Sequence, residues 1–92
     1  MASSNGHMSA LQVIRSAKEQ VAELTGKHVE GVLGVKRADG GGWDALVEVV
    51  ELRRVPETTD VLAAYALVLG DDGEVQEYRR TRRYYRNQVE EE

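Results

Sequence analysis

The chain has 92 residues, 41% of them hydrophobic, and carries 16 acidic against 12 basic side chains for a net charge of −4. This length allows one small domain with a limited core, and the apolar fraction is that of a folded protein. The negative charge argues against a general nucleic-acid binder, no apolar run is long enough to span a membrane, and the absence of cysteine removes disulfides and thiolate metal sites and fits a reducing cytoplasm.

A helix is predicted over residues 10–25. Ser9 is typical of a helix N-cap, and Gly26 has the position where a helix C-terminus favours glycine. Between them, apolar residues recur at helical spacing and form one stripe: Ile14, Ala17, Val21 and Leu24. We expect this stripe to face the core.

Four strands are predicted after the helix, at residues 29–37, 43–54, 61–69 and 75–86. Glycine- and aspartate-rich turns at 39–42 and 70–73 separate strands that can pair as hairpins, and Pro56 ends the second strand. The third segment is continuously apolar, which fits a buried central strand. A helix is the alternative there, and the turn that follows favours the strand.

Two of the strands have irregular patterns. Gly31 and Gly34 interrupt the first strand and are expected to weaken or bend it. The second strand loses its alternation at Val49 and Val50, which indicates a β-bulge or a strand covered on both faces.

The summed order predicts an α+β domain, with an N-terminal helix packed on a four-stranded antiparallel sheet in the order α-β-β-β-β. We assign residues 9–88 to this single domain. Residues 1–8 are interpreted as an expression leader, because they are small and polar and end in a His-Met pair typical of a cloning site. Residues 89–92 form an acidic tail.

No catalytic set, cofactor site or metal site is predicted. The sequence has no Cys/His pair, no Ser-His-Asp set and no phosphate-binding loop. His28 follows a helix C-terminus, where an imidazolium has a capping or surface role. The turn at 71–74 lacks the twelve-residue oxygen spacing of a calcium loop and is typical of a hairpin.

Glu48 and Glu51 are the one pair of carboxylates considered for acid–base work. They lie on opposite faces of a regular strand, and a bulge between them brings both to one side. Burial is needed to separate the pKa values of such a pair. We instead expect them to face solvent or to pair with cross-strand arginines such as Arg79 or Arg83.

The stretch 77–86, EYRRTRRYYR, places five arginines and three tyrosines in ten residues. These arginines and tyrosines are the candidate partner-binding residues: Tyr78, Arg79, Arg80, Arg82, Arg83, Tyr84, Tyr85 and Arg86. Such a strand can pair with acids across the sheet, form a protein interface, or stack and pair with single-stranded nucleic acid. The residues alone leave these three alternatives open.

The segment 42–86 resembles the gas vesicle protein O family, GvpO. The matching pieces occur in order: Gly42-Trp43, the VEVVEL run 47–52, Val55-Pro56 with the following Thr-Asp, Leu62 with Tyr65, Asp-Gly-Glu at 72–74, and Tyr-Arg-Arg…Arg-Tyr at 78–84. The helix ending at Gly26 also fits, so that the resemblance covers about 10–86. Ala66 departs from the pattern, where an acidic residue is expected after the tyrosine. If that acid contacts a partner in relatives, this chain contacts its partner differently.

The resemblance implies a non-enzymatic, cytoplasmic accessory protein of gas vesicle assembly that is not the wall protein. Its implied partners are other gas vesicle accessory proteins, with an associated AAA-type ATPase among them. The alternative is a role in gas vesicle gene expression, in which the last strand contacts nucleic acid.

For the first role, regular alternation offers two docking sets on opposite faces of the last strand: Arg80, Arg82 and Tyr84, or Arg79, Arg83 and Tyr85. Which set faces outward depends on the side of the sheet that the helix covers.

Overall fold

A computed structural model describes residues 8–88 of the chain, in which one helix precedes a four-stranded antiparallel sheet. The elements are helix α1 (Ala10–Thr25) and strands β1 (His28–Arg37), β2 (Trp43–Leu52), β3 (Val61–Leu69) and β4 (Val75–Tyr85), with short 3₁₀ turns at Glu57–Thr59 and Arg86–Gln88. The strands lie in the sheet in chain order, so that β1 and β4 form its edges. The predicted α+β fold is confirmed, and the segment 61–69 is a strand rather than a helix.

The predicted leader and acidic tail lie outside the described residues, with one exception. Met8, which the sequence analysis assigns to the leader, packs against the hydrophobic core. Within residues 8–88, no helix has the length and hydropathy needed to cross a bilayer.

Local hydrogen bonds set both ends of α1. The Ser9 hydroxyl accepts a hydrogen bond of 3.1 Å from the Gln12 backbone N–H, and the Gln12 side chain accepts one of 2.8 Å from the Ser9 N–H. This reciprocal pair satisfies two N–H groups that a helix start otherwise leaves without partners. At the other end Gly26 adopts a left-handed conformation with φ of 70°, which glycine reaches without steric cost.

The core lies between α1 and one side of the sheet, which we call the helix-covered face. The helix contributes Val13, Ala17 and Val21, all fully buried, and packs over β1 and β2. The sheet contributes alternate residues of its two central strands: Trp43, Ala45, Val47 and Val49 from β2, and Ala63, Leu67 and Leu69 from β3. The predicted helix stripe is therefore wrong at both ends, because Val13 replaces Ile14 in the core and Leu24 is 46% exposed.

Polar side chains of α1 fix the hairpin between β3 and β4. Ser16 and Gln20 donate hydrogen bonds of 2.7 and 2.6 Å to the Gly73 carbonyl, and the Gln20 amide oxygen accepts one of 2.8 Å from the Val75 N–H. The start of β4 is thereby attached to the helix. Asp71 Oδ1 accepts a hydrogen bond from the Gly42 N–H across the two hairpins, so that this aspartate stabilises turns.

Each of three strands carries at least one extra residue that shifts its pairing. In β1 the extra residues are Glu30 and Leu33, beside the two glycines at which the sequence predicts a weakened or bent strand. In β2 the extra residue is Glu51, close to the predicted bulge. In β4 the extra residues are Gln76 and Thr81. Each bulge reverses the side on which the following residues point.

Candidate functional site on the last strand

The bulge at Thr81 divides the side chains of β4 between the two faces of the sheet. Arg80 lies opposite Tyr65 and Arg83 opposite Ala63, which places both arginines on the helix-covered face. On the other side of the sheet, which we call the open face, Arg79 lies opposite Ala66, Arg82 opposite Ala64, and Tyr84 opposite Leu62. The predicted sets are therefore wrong: Arg80 is separated from Arg82 and Tyr84, and Arg79 is separated from Arg83 and Tyr85. Regular alternation fails because the extra residue at 81 offsets it by one.

Tyr84 is bound within the protein. Its hydroxyl donates a hydrogen bond to Glu48 Oε2 across the open face, and its ring is half-buried. Burial, together with this bond to a carboxylate, raises the pKa of Tyr84 well above its ordinary value. The guanidinium of Arg82 lies 4.9 Å from the centre of the same ring, which fits a cation–π contact. Tyr84 thus joins β4 to β2 and orients Arg82.

Arg86 is also bound within the protein, at the end of the sheet where β3 begins. Its Nη1 donates a hydrogen bond of 2.9 Å to Glu30 and its Nη2 one of 3.1 Å to Asp60. Asp60 is 1% exposed, and its other carboxylate oxygen accepts a 2.7 Å bond from the Arg54 N–H. This backbone bond, aided by Arg86, lowers the pKa of Asp60, and the Arg86 hydrogen bond lowers that of Glu30. The ion-pair network connects β1, the start of β3 and the end of β4.

The two glutamates of β2 find partners other than those predicted. Glu48 binds Tyr84 on the open face, whereas Glu51 accepts a 3.2 Å hydrogen bond from Arg80, which lies on the helix-covered face. Pairing with Arg79 or Arg83 is therefore wrong, because the bulges at Glu51 and Thr81 change which side chains meet. The carboxylates serve as acceptors for neighbouring strands. His28 is exposed at the start of β1, with its Nε2 3.7 Å from Glu30.

Three arginines of β4 have no carboxylate partner among residues 8–88. They are Arg79, Arg82 and Arg83, and all three are exposed. Two tyrosines of the strand are also at the surface: Tyr78 is 41% exposed with its ring 6.1 Å from that of Tyr65, and Tyr85 is 44% exposed. Of the candidate residues, Tyr78 and the three arginines offer side chains to a partner, whereas Tyr84, Arg86 and Arg80 already bind acids of the same molecule.

The open face also carries an apolar groove that the sequence analysis missed. It has a volume of about 430 Å³ and is lined by Gly34, Leu46 and Ala66, with Lys36 and Asp44 at one end. The available signal was the presence of small residues in two strands, Gly31 and Gly34 in β1 and Ala64 and Ala66 in β3, which leave part of one sheet face without large side chains. In the described part of the chain, no three His, Cys, Asp or Glu side chains are grouped closely enough to hold a metal ion.

The comparisons with known proteins agree on one family. The model of the family described as gas vesicle synthesis protein GvpO matches residues 1–90. The chain is 47% identical over 78 residues to gas vesicle protein O of a Streptomyces species (strain CB03234), covering 85% of this chain and 60% of that relative.

Two archaeal relatives are also similar. Gas vesicle protein O of Haloferax mediterranei is 37% identical over 76 residues, covering 83% of this chain and 54% of the relative. Gas vesicle protein O1 of Halobacterium salinarum is 36% identical over 76 residues, covering 83% of this chain and 63% of the relative. The chain therefore spans somewhat more than half the length of these relatives. No solved structure matches it.

Proposed function

This chain belongs to the gas vesicle synthesis protein GvpO family, and we propose that it is a non-enzymatic accessory protein of gas vesicle assembly that binds other proteins through β4. A role connected with gas vesicles follows from the family. The observation that carries the binding role is the group of β4 arginines that have no carboxylate partner among residues 8–88, namely Arg79, Arg82 and Arg83.

The charge balance makes these unpaired arginines informative. Acidic side chains outnumber basic ones by 16 to 12, so that carboxylates are not scarce in this protein. Arg80 and Arg86 on the same stretch do form ion pairs. Arginines without an acidic partner in the described part of the chain, next to exposed tyrosines, have the composition of a protein-binding surface, where these two residue types often dominate the binding energy.

The carboxylates of the sheet support a binding role rather than a catalytic one. Glu30, Glu48, Glu51 and Asp60 each accept a hydrogen bond from an arginine or tyrosine side chain. A catalytic acid or base needs a proton to exchange with a substrate in a concave site. Their geometry instead fits the joining of strands.

The proposed partners are other gas vesicle accessory proteins, including an associated AAA-type ATPase, and the proposed site of action is the cytoplasm. The test is a co-purification with the tagged chain from cells that express the whole set of gas vesicle genes. A variant with Arg79→Glu and Arg83→Glu reverses the charge of one exposed arginine on each face of β4. We expect this variant to lose the accessory proteins that the unchanged chain retains.

A matched control reverses two charges elsewhere. Arg15→Glu with Lys18→Glu alters two exposed residues of α1 and changes the net charge by the same amount. The control should retain the partners, and circular dichroism should show both variants folded. Equal retention by both variants would contradict a docking role for β4.

Binding to nucleic acid is distinguished from binding to a protein partner by its steep dependence on salt concentration, since each neutralised phosphate releases counterions. Labelled single-stranded RNA that binds at about 50 mM salt and dissociates at about 200 mM, with loss of binding in the β4 variant, would replace the proposed function by the regulatory alternative.

A further inference from the structure

The strand register arranges the open face in rows that cross the sheet. One row contains Gly34, Leu46, Ala66 and Arg79. The next contains Gly31, Glu48, Ala64 and Arg82. In both rows the side chains of β1 and β3 are absent or small, and an exposed arginine stands on β4. The groove of about 430 Å³ lies over the first of these rows, where Gly34, Leu46 and Ala66 line it.

The groove is bounded at both ends. Toward the Glu48 end, the Tyr84 ring and its hydrogen bond to Glu48 cover the sheet, and Leu62 is 2% exposed there. Toward the hairpins, the next row brings charged side chains to the same face, with Lys36 and Asp44 opposite each other and Glu77 on β4. Ala64, in the row of Glu48 and Arg82, is only 1% exposed. The uncovered apolar surface is therefore the row of Gly34, Leu46 and Ala66, which lies between this covered row and the charged row.

The width of the open face is sufficient for an α-helix. Three inter-strand spacings separate β1 from β4, about 14 Å in total, and a helix with its side chains is about 10–12 Å wide. Small residues on the floor allow a helix backbone to approach closely. A partner strand would instead pair along the edge of β4, where it would not use the floor.

The positions of the two open-face arginines determine which charge the helix carries. Arg79 and Arg82 lie in successive rows, about 6.6 Å apart along the strand, because the bulged residue between them adds no row. On a helix, residues i and i+4 are separated by about 6 Å along the axis and lie on the same side. Two acidic side chains at that spacing can therefore each meet one guanidinium.

We propose that the open face binds an amphipathic α-helix of a partner protein, running along the strands with a small apolar stripe in the groove and an acidic pair at i and i+4 beside Arg79 and Arg82. This inference deepens the proposed function and rests on it. Glu77 of β4 lies one row beyond Arg79, toward the hairpins. An additional acidic residue of the partner helix, one turn further in that direction, would meet this like charge, so that the partner helix carries only the one acidic pair.

A pair of designed helical peptides tests the charge pattern. The first carries an alanine–leucine stripe with glutamates at i and i+4 along one flank, and the second has lysines in place of those glutamates. Binding of the fluorescently labelled peptides is followed by anisotropy. We expect the glutamate peptide to bind at least about tenfold more tightly than the lysine peptide, and an Arg79→Glu, Arg82→Glu variant to reverse this preference.

Filling the groove tests its role separately from charge. Gly34 lines the groove, and a Cβ added there meets no atom within 4 Å, so that Gly34→Leu places a side chain in the groove. This variant should weaken binding of the glutamate peptide by about tenfold or more. Ala10→Leu is the matched control, since it adds an exposed leucine at the start of α1 and should leave binding unchanged. Thermal melts of both variants verify that they are folded.

The results distinguish this inference from the proposed function. If accessory proteins co-purify and are lost with Arg79→Glu and Arg83→Glu, while neither peptide binds or Gly34→Leu has no effect, the groove proposal is wrong and the proposed function stands. If the glutamate peptide binds as described but no accessory protein co-purifies, the groove proposal is supported and the proposed function is wrong. A dimer in solution that Gly34→Leu dissociates, or RNA binding insensitive to Gly34→Leu, would also overturn the groove proposal.

Discussion

Replacing Tyr84 by phenylalanine should destabilise the fold while leaving partner binding intact. The hydroxyl of Tyr84 donates a hydrogen bond to the Glu48 carboxylate, and phenylalanine removes this bond but keeps the ring under Arg82. Hydrogen bonds to charged groups contribute about 1.5–3 kcal/mol when buried. Because the Tyr84 and Glu48 side chains are only half-buried, and water can reach the freed carboxylate, we expect a loss of about 1–2 kcal/mol in the free energy of unfolding. For a domain of this size the melting temperature should fall by roughly 5–10 °C.

Urea unfolding followed by tryptophan fluorescence measures this loss, since Trp43 is the one tryptophan of the chain and is 6% exposed. Tyr78→Phe is the matched control, because Tyr78 is on the same strand and its hydroxyl forms no hydrogen bond with residues 8–88. Combining Tyr84→Phe with Glu48→Gln in a double-mutant cycle isolates the pair. Unfolding of Tyr84→Phe and Tyr78→Phe at the same urea concentration, or loss of co-purification with Tyr84→Phe, would contradict this role of the Tyr84 hydroxyl.

Three further predictions concern the framework that supports β4. The ordinary pKa values of the two carboxylates that Arg86 bridges are 3.8 and 4.5, and the fold lowers both, so that their stabilisation is complete above about pH 5 and is lost as the pH falls below it. Melting temperatures recorded from pH 7 to pH 2 should therefore fall less steeply for Arg86→Met. Gly42→Ala should destabilise more than Gly40→Ala in urea unfolding, because both glycines have positive φ but only at Gly42 would a Cβ overlap a carbonyl oxygen of β3. Leu67→Ala should cost about 2–5 kcal/mol by the same assay, against less than about 0.5 kcal/mol for the exposed Leu33→Ala.

The fold was predictable because its signals are local. A serine cap, a C-terminal glycine and 3.6-residue periodicity define α1, and turn residues rich in glycine and aspartate separate β1 from β2 and β3 from β4. Each of these signals depends on neighbours within a few residues. Tertiary packing decides how the helix is rotated about its axis, which is why Val13 and not Ile14 reached the core.

The sequence predicted which segment carries the candidate site, but not the face of the sheet on which each side chain lies. Glycines marked the bulges of β1, and a break in alternation marked the bulge of β2, but no special residue type marks the bulge at Thr81. That bulge depends on long-range pairing: the Thr81 hydroxyl donates a 3.2 Å hydrogen bond to the Ala64 carbonyl of the neighbouring strand. A one-residue shift moves every following side chain to the other face, so that the sequence identified the arginines without placing them correctly.

The extra residue Thr81 accounts both for the contacts that β4 makes within the protein and for the exposure of β4 arginines that have no carboxylate partner among residues 8–88. If Thr81 were part of a regular strand, Arg82 and Tyr84 would share a face with Arg80, and the Tyr84 hydroxyl would point away from Glu48. With the bulge, Tyr84 binds Glu48 and at the same time supports the guanidinium of Arg82 on the open face. An arginine held in this way loses less conformational freedom when it meets an acidic partner, which favours binding. The bulge at Thr81 therefore links the stability of the sheet to the placement of the charge that we propose a partner helix contacts.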